Sequence, residues 1–425
     1  MDRKRPDHVA NNEGSDVMIT VTTNNYCEPS SRGFTLVELL IAMVIALIIT
    51  IGVVQVFSAN RATYQIDEAL ARAQENGRFS MEFLAQDIRA AGYMGCQRDV
   101  YRGAQSPNRI VNYLVGATTY VPSGINGFEY SAAPGTGIGA TFPAGAFPIT
   151  NATAGWNPAL NTALVPGSGG VAGAQPGTDV IAVQHMVTST LPLVAPYVDI
   201  DNVYLDPAYK NKVAVGDVML ISNCQHEAIF QVTGISAAGV LSHITGSGTP
   251  GNRCAQWQEA PFGANGANSE CTNPFKLNVP NTVVGQLQTV VFYVAQGLGG
   301  PACASPGTCQ PTLYRVVSGP GGVPAGIPQA LVEGVENMQV LYGEDTNSDG
   351  VADQYVTANN VGSFSQVASV RIGLLIHGTN ATGSVNDIEL DTSTYNVAGT
   401  TIDPTNDRLR RRVFTTTLQL RNRGF

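Results

Sequence analysis

Three textures of apolar and polar residues follow one another along the chain. The first, residues 34–57, reads "FTLVELLIAMVIALIITIGVVQVF", almost wholly apolar, with Glu38 its single charge. As a helix, about 24 residues at 1.5 Å each span ~36 Å, enough to cross a bilayer. In the second texture Ile66, Leu70, Ala73, Gly77, Leu84, Ile88 and Ala91 recur at steps of three, four or their sum, the stripe of an amphipathic helix. No proline interrupts 34–91, and Gly92 follows as a candidate C-terminal cap. The pattern predicts one long helix over 34–91, apolar to residue 57 and amphipathic beyond it. In the third texture, from Tyr93 on, short β-like runs alternate with Gly, Pro, Ser and Asn. "DVIAVQ" (179–184), "GDVMLIS" (216–222), "AIFQVTGI" (228–235), "TVVFYVAQ" (289–296) and "TLYRVVS" (312–318) read as strands. "VASVRIGLLI" sets Val370, Ile372, Leu374 and Ile376 on one face, the alternation of a half-buried strand, and "VFTTTLQL" does the same with Phe414, Thr416, Leu418 and Leu420. The Gly/Ala/Pro-rich stretch from 115 to 177 reads as long surface loops.

One carboxylate inside so apolar a run needs a reason, because an acidic residue at a helix centre costs about 2.5–3.5 kcal/mol on insertion scales. A secretory signal peptide is the first alternative. Its apolar region runs only 7–15 residues and ends at a small-residue cleavage site. Here the apolar run is longer, Ser58-Ala59-Asn60-Arg61 follows it, and the helical pattern continues without a break.

Composition narrows the picture further. Charged residues make up 13% of the 425, with 46 Gly and 24 Pro. About 25% charge is usual for soluble domains, so the balance favours strands and loops over helical bundles. A net charge of −9 leaves no footprint for nucleic acid. Without residues 1–33 the cysteines are six: Cys96, Cys224, Cys254, Cys271, Cys303 and Cys309. An even number fits disulfides in an oxidising compartment, and no CxxC pair or neighbouring histidine suggests zinc. Six cysteines allow fifteen pairings; Cys303–Cys309, Cys254–Cys271 and Cys96–Cys224 are the set expected here. The first two close local loops, and the third ties the helix end to the sheet.

"RGFTLVELLIAMVIALI" resembles the prepilin signal of type IV pilins and type II secretion pseudopilins: Gly, an aromatic residue, Thr-Leu-Val-Glu, then an apolar helix. The resemblance implies that a prepilin peptidase cuts between Gly33 and Phe34 on the cytoplasmic side and methylates the new Phe34 amine. It also gives Glu38 a partner, the α-amino group of a neighbouring subunit's Phe34 in a filament core. Each charge is costly alone in apolar surroundings, and paired they favour one axial register. The other reading of Glu38 is a carboxylate resting at the headgroup boundary. The leader departs from the family pattern, being long and carrying only Arg32 near the cut; a start at Met18 would leave 16 residues. "AAGYMGC", "LVEGVENMQVLYGEDTNSDGVADQYV", "VASVRIGLLIHG" and "RRRVFTTTLQLRNRG" narrow the resemblance to PilW-type minor pilins over 33–96 and about 330–425. The implied architecture is α+β and pilin-like: leader 1–33, helix 34–91 with a transmembrane part 34–57, and a β-rich domain 92–425 with long loops.

"EDTNSDGVADQY" carries chemistry of its own. Asp345, Asn347 and Asp349 stand at loop positions 1, 3 and 5, Gly350 permits a sharp turn, the Val351 carbonyl can contribute, and Asp353 stands at position 9. Hard cations select this oxygen-rich spacing, and calcium is the expected ion. Position 12 is Val356, so the bidentate Glu of an EF-hand is missing. A plain Asp/Asn/Gly turn between strands is the competing reading. His185, His226, His243 and His377 are scattered without acid-base spacing, and no HExxH, GxSxG, P-loop or dinucleotide motif occurs. Arg408, Arg410, Arg411, Arg412, Arg421 and Arg423 read as a solvated strand edge, with a docking surface for an acidic partner as the alternative. The "NAT" sequons at 151 and 380 carry no weight without knowledge of the compartment.

Two classes of function follow. The first is a minor pilin, not an enzyme, that helps initiate type IV pilus assembly at or near the tip. Its partners are the prepilin peptidase, the inner membrane, the major pilin, other minor pilins and a tip adhesin. It would be single-pass in the inner membrane with a periplasmic domain, then extracellular in the pilus; a minor pseudopilin of a type II secretion system is its variant. The second class is a pilin-anchored periplasmic enzyme or sugar-binding module.

Overall fold

The computed structural model describes residues 33–95, 110–114, 123–131, 141–142, 154–160, 164–165, 173–187, 190–199, 202–223, 227–244, 251–252, 282–296, 310–317, 328–378 and 390–423. Cys27, the six remaining cysteines, His226, and both sequons lie outside them, so the disulfide expectation does too. The chain divides into two compact units, 1–58 and 59–425.

A single helix, Leu36–Ala90, runs through that boundary, two residues inside the expected start and one inside the expected end. In the first unit its residues are exposed, with Leu36 75%, Ile48 62% and Phe57 70% accessible. Thr50 returns its hydroxyl to the Ala46 carbonyl at 2.7 Å, so this polar side chain is satisfied within the helix. Gly92 closes the helix with φ +74°, the left-handed conformation that glycine adopts without strain. Asn422 caps the same end, its amide donating to the Ala90 and Ala91 carbonyls at 3.2 Å each.

In the second unit Ala73, Gly77, Leu84 and Ile88 are buried, while Ile66 and Leu70 are only partly covered. Ala73, Leu84 and Ile88 enter a core with Ile125, Ile181, Val290, Phe292, Val340, Ile372 and Leu374. Gly77 is required by close approach: a Cβ there would collide with the Phe414 ring.

Among the described residues the strands form four sheets, predominantly antiparallel. The largest runs, in pairing order, Ile110–Asn112, Glu227–Gln231, Val218–Ser222, Val283–Gln296, Val180–Met186, Ile125–Tyr130 and Trp156–Asn157. Pro311–Val317 also pairs with Val283–Gln296 and carries Gln329–Glu333 on its other side. A second sheet orders Gln354–Val356, Val335–Glu344, Val367–His377 and Arg411–Gln419. Leu193–Val198, Asn202–Leu205, Gly234–Ile235 and Val240–Ser242 make a third, and Thr141–Phe142, Tyr395–Val397 and Thr400–Ile402 a fourth.

Two sequence expectations need correction. The 115–177 stretch contains a strand of the large sheet, Ile125–Tyr130, which pairs with both Val180–Met186 and Trp156–Asn157. "INGFEY" carries Asn-Gly, which reads as a turn; here Gly127 instead leaves room for the Tyr342 hydroxyl, which a Cβ would strike. Val367–His377 is not half-buried: all of it except Arg371 is buried. Val370, Ile372, Leu374 and Ile376 face the helix core, and Leu375 packs on Val397 and Ile402 behind.

Candidate functional site

The helix start is built by a reciprocal pair. The Glu38 amide donates to Thr35 Oγ1 at 3.3 Å, while the Thr35 amide and hydroxyl donate to Glu38 Oε2, each at 3.0 Å. This is a capping box, in which the first-turn carboxylate satisfies a backbone donor that the helix cannot. The T-x-x-E spacing in the sequence is the signal that marks Thr35 as the cap. Gly33 and the fully apolar side chain of Phe34, 87% exposed, stand immediately before the cap. Cleavage after Gly33 would place the new amine one residue from the Thr35 amide that Glu38 already accepts. The carboxylate is thus held at the helix N-terminus, where the helix dipole also favours negative charge.

In the second unit the far end of the helix is fixed by charge. Asp87 accepts from Arg315 at 2.8 Å (Oδ2) and 3.3 Å (Oδ1), and His185 Nε2 lies 3.6 Å from Oδ1. Burial pushes the Asp87 carboxyl up, but the close His185 ring and the bonds from Arg315 outweigh it and hold it below its ordinary value. The other ring nitrogen of His185, Nδ1, lies 3.3 Å from the Met186 carbonyl.

The Asp345–Asp353 loop joins Val335–Glu344 to Gln354–Val356. Asp345 accepts the amides of Ser348 (2.6 Å), Asp349 (3.1 Å) and Gly350 (2.9 Å). Asn347 Oδ1 accepts the Asp349 amide at 2.9 Å, and Asp349 Oδ1 the Val351 amide at 2.8 Å. Asp353 Oδ2 accepts the Thr346 hydroxyl (2.6 Å) and amide (2.8 Å), bonds that hold its carboxyl below the ordinary value. Asn347 Nδ2 donates to Asp349 (3.2 Å) and Asp353 (3.1 Å). In this arrangement an amide donor stands between the two carboxylates where a cation would need an oxygen. No group of three or more His, Cys, Asp or Glu placed to hold a metal ion occurs among the described residues. The four side chains do converge on one loop, and turning over the Asn347 amide would present its oxygen.

The arginine cluster is corrected at Arg411. Its side chain is only 2% exposed and is held by Glu336 (2.6 and 2.9 Å), Asp407 (2.7 and 2.8 Å) and Asp391 (3.2 Å). A buried guanidinium among three carboxylates ties Arg411–Gln419 to Val335–Glu344, one strand beyond its own neighbour Val367–His377, and to the Asp391 and Asp407 segments. Glu336, Asp391 and Asp407 have no local spacing to Arg411 that would reveal this, apart from the four-residue step to Asp407.

A long N-terminal helix, apolar then amphipathic, with a predominantly antiparallel β domain defines an α+β, pilin-like class. Residues 29–54 match the prokaryotic N-terminal methylation motif, and residues 291–422 match type IV pilus-assembly protein W. At both ends, therefore, the chain matches a PilW-type, prepilin-like pilin, and the two matches support a type IV pilus-related role. The methylation motif and the hydrophobic helix fit a membrane-anchored pilin, and a match of this kind implies prepilin peptidase processing and contact with other pilus components. No curated protein and no solved structure gives a significant match.

Proposed function

We propose that this chain is a minor pilin that takes part in the initiation of type IV pilus assembly, within a tip or priming complex with other minor pilins and a tip adhesin. The role is one of assembly, not catalysis. The observation that carries it is the joining of an assembly-type N-terminus, Gly33-Phe34 with a capped Glu38, to a β domain that matches PilW over 291–422. Cleavage after Gly33 would leave 392 of the 425 residues (425 − 33). A subunit of that size, with Gly/Ala/Pro-rich connections, crowds a densely repeating fibre and is better accommodated at its end. Insertion buries the exposed apolar side chains of 36–57 in the bilayer, at roughly 25 cal/mol per Å² of area removed from water. In the filament, the neighbour's Phe34 amine would take Glu38 Oε1 while the cap keeps Oε2.

Deletion of the gene should strongly reduce surface pili while the major subunit remains in the inner membrane. Pull-down of the full-length protein from detergent extracts should recover other minor pilins. Normal pilus numbers together with no co-purifying pilin would overturn the priming role.

A further inference from the structure

Two carboxyl groups meet inside the β domain without a cation. Glu129, in Ile125–Tyr130, is 2% exposed, and Asp179, just before Val180–Met186, is 3% exposed. Asp179 joins two sheets: Oδ2 accepts the Val340 amide at 2.8 Å, its own amide donates to the Met338 carbonyl at 2.9 Å, and Oδ1 accepts the Tyr130 amide at 3.4 Å. Val340 and Met338 belong to Val335–Glu344, in the second sheet. Glu129 stands across from Asp179 in the sheet, since Phe128 pairs with Val180 and the Tyr130 amide reaches Asp179. As a carboxylate, Glu129 would leave Oε2 buried with no donor. As an acid it donates to Asp179 and the orphan disappears. Among the described residues, the Tyr342 hydroxyl, fully buried and also without a partner, is the further titratable group facing the pair. Among the described residues, no Lys, Arg or His bonds to either carboxyl.

We propose that Glu129 and Asp179 share one proton at neutral pH and act as a proton-dependent latch between the large sheet and the Val335–Glu344 sheet, so that the β domain loosens as its surroundings turn alkaline. Two unpaired negative charges cannot both be held in so dry a place. Burial, then the charge of Asp179, pushes the Glu129 carboxyl up. Burial likewise pushes Asp179 up, against the amides of Val340 and Tyr130. Both folded values thus lie above the unfolded ones. The native chain keeps a proton that the unfolded chain releases, so the stabilisation is complete below the ordinary carboxylate range of about 4 and is lost as pH rises through the folded values. One retained proton changes the unfolding constant about tenfold per pH unit.

The test is denaturant unfolding of the full-length protein in detergent micelles between about pH 5 and about pH 9, a range clear of unperturbed carboxylates and tyrosines. Trp156 is a suitable fluorescent reporter, since its indole donates to the Thr178 carbonyl beside Asp179 at 2.9 Å. The wild-type unfolding constant should rise with pH, approaching about tenfold per unit over part of the range. Glu129→Gln, which donates an N–H without titrating, should flatten that rise and be the more stable protein at the alkaline end. Parallel pH profiles for the two would overturn the latch. If Glu129→Gln does not fold, Asp179→Asn keeps an oxygen for the Val340 amide and makes the same comparison. A protonated-carboxyl infrared band at pH 7 in the wild type is the direct signature, and its absence would equally overturn the proposal.

Discussion

The two halves of the one helix solve opposite problems. Leu36–Phe57 is exposed along its length, and its described bonds are local: the Thr35–Glu38 cap and the Thr50 hydroxyl on Ala46. From Ala59 onward the helix is defined by distant residues: Asp87 by Arg315, Gly77 by Phe414, and Asn76, whose amide donates to the Glu333 carbonyl at 3.0 Å. An apolar helix face therefore carries two different instructions. Where its polar groups are satisfied locally, the face is free for a bilayer or another helix. Where they reach across hundreds of residues, the face belongs to this chain's own core.

The largest expected effect breaks the second half's dependence on the sheet. Arg315→Ala leaves Asp87 buried without its cation and should destabilise the β domain by about 3 kcal/mol, the scale for removing one partner of a buried pair. The sign with pH is fixed. Because Asp87 titrates below its ordinary value when folded, its stabilisation is present above about pH 4 and lost as pH falls through the folded value. Acid unfolding of the wild type in detergent should therefore begin at lower pH than that of Arg315→Ala. Coincident acid limbs would show that the ion pair does not hold the helix.

A similar magnitude tests whether the second unit needs anything beyond its own chain. If the Asp345–Asp353 loop takes calcium, the ion at 100 times its dissociation constant adds about 2.7 kcal/mol, and the thermal midpoint rises with calcium and falls with chelator. Asp345→Ala and Asp353→Ala should each abolish that response. A midpoint indifferent to both additions leaves a turn held by its own amides, as the Asn347 donor to Asp349 and Asp353 already suggests.

Gly77 gives a smaller effect with an informative sign. On helix propensity alone, Gly→Ala gains about 1 kcal/mol. Here the new Cβ meets the Phe414 ring, so Gly77→Ala should instead cost about 1–2 kcal/mol in denaturant unfolding. Gly52, in the first half, has nothing near its Cβ position, and Gly52→Ala should be neutral or stabilising in the same measurement.

Legibility in the sequence follows the same division. The helix, its Gly92 cap and its apolar half are local patterns, legible to within two residues, and the T-x-x-E of the N-terminal cap is local too. Strands with strong β-branched runs were readable too, although Val283–Gln296 begins six residues before the expected 289 because "VVGQLQ" breaks the apolar run. What escaped was long-range. Ile125–Tyr130 hid within the Gly/Ala/Pro-rich stretch because the reason for its Gly127 is Tyr342, more than two hundred residues away. Arg411 looked like a solvated charge because Glu336 and Asp391 are joined to it only by the fold. Glu129 and Asp179 likewise carry no spacing that would pair them.

The smallest effect on stability is the one that separates Glu38's two roles. Thr35→Ala removes the side chain that caps the helix and leaves the carboxylate; cap loss costs about 1 kcal/mol. Glu38→Gln keeps an oxygen for the Thr35 amide, so the cap survives, but it removes the charge. If Glu38 served only its own helix, Thr35→Ala would be the more harmful change, and Glu38→Gln would enter pili at wild-type levels. If the charge pairs with a neighbouring subunit's Phe34 amine, the order reverses. Both variants should insert and be cleaved after Gly33, as N-terminal mass spectrometry can verify, but Glu38→Gln should be depleted in sheared pili while Thr35→Ala is retained. Equal recovery of the two would confine Glu38 to the cap and leave the axial register to other contacts.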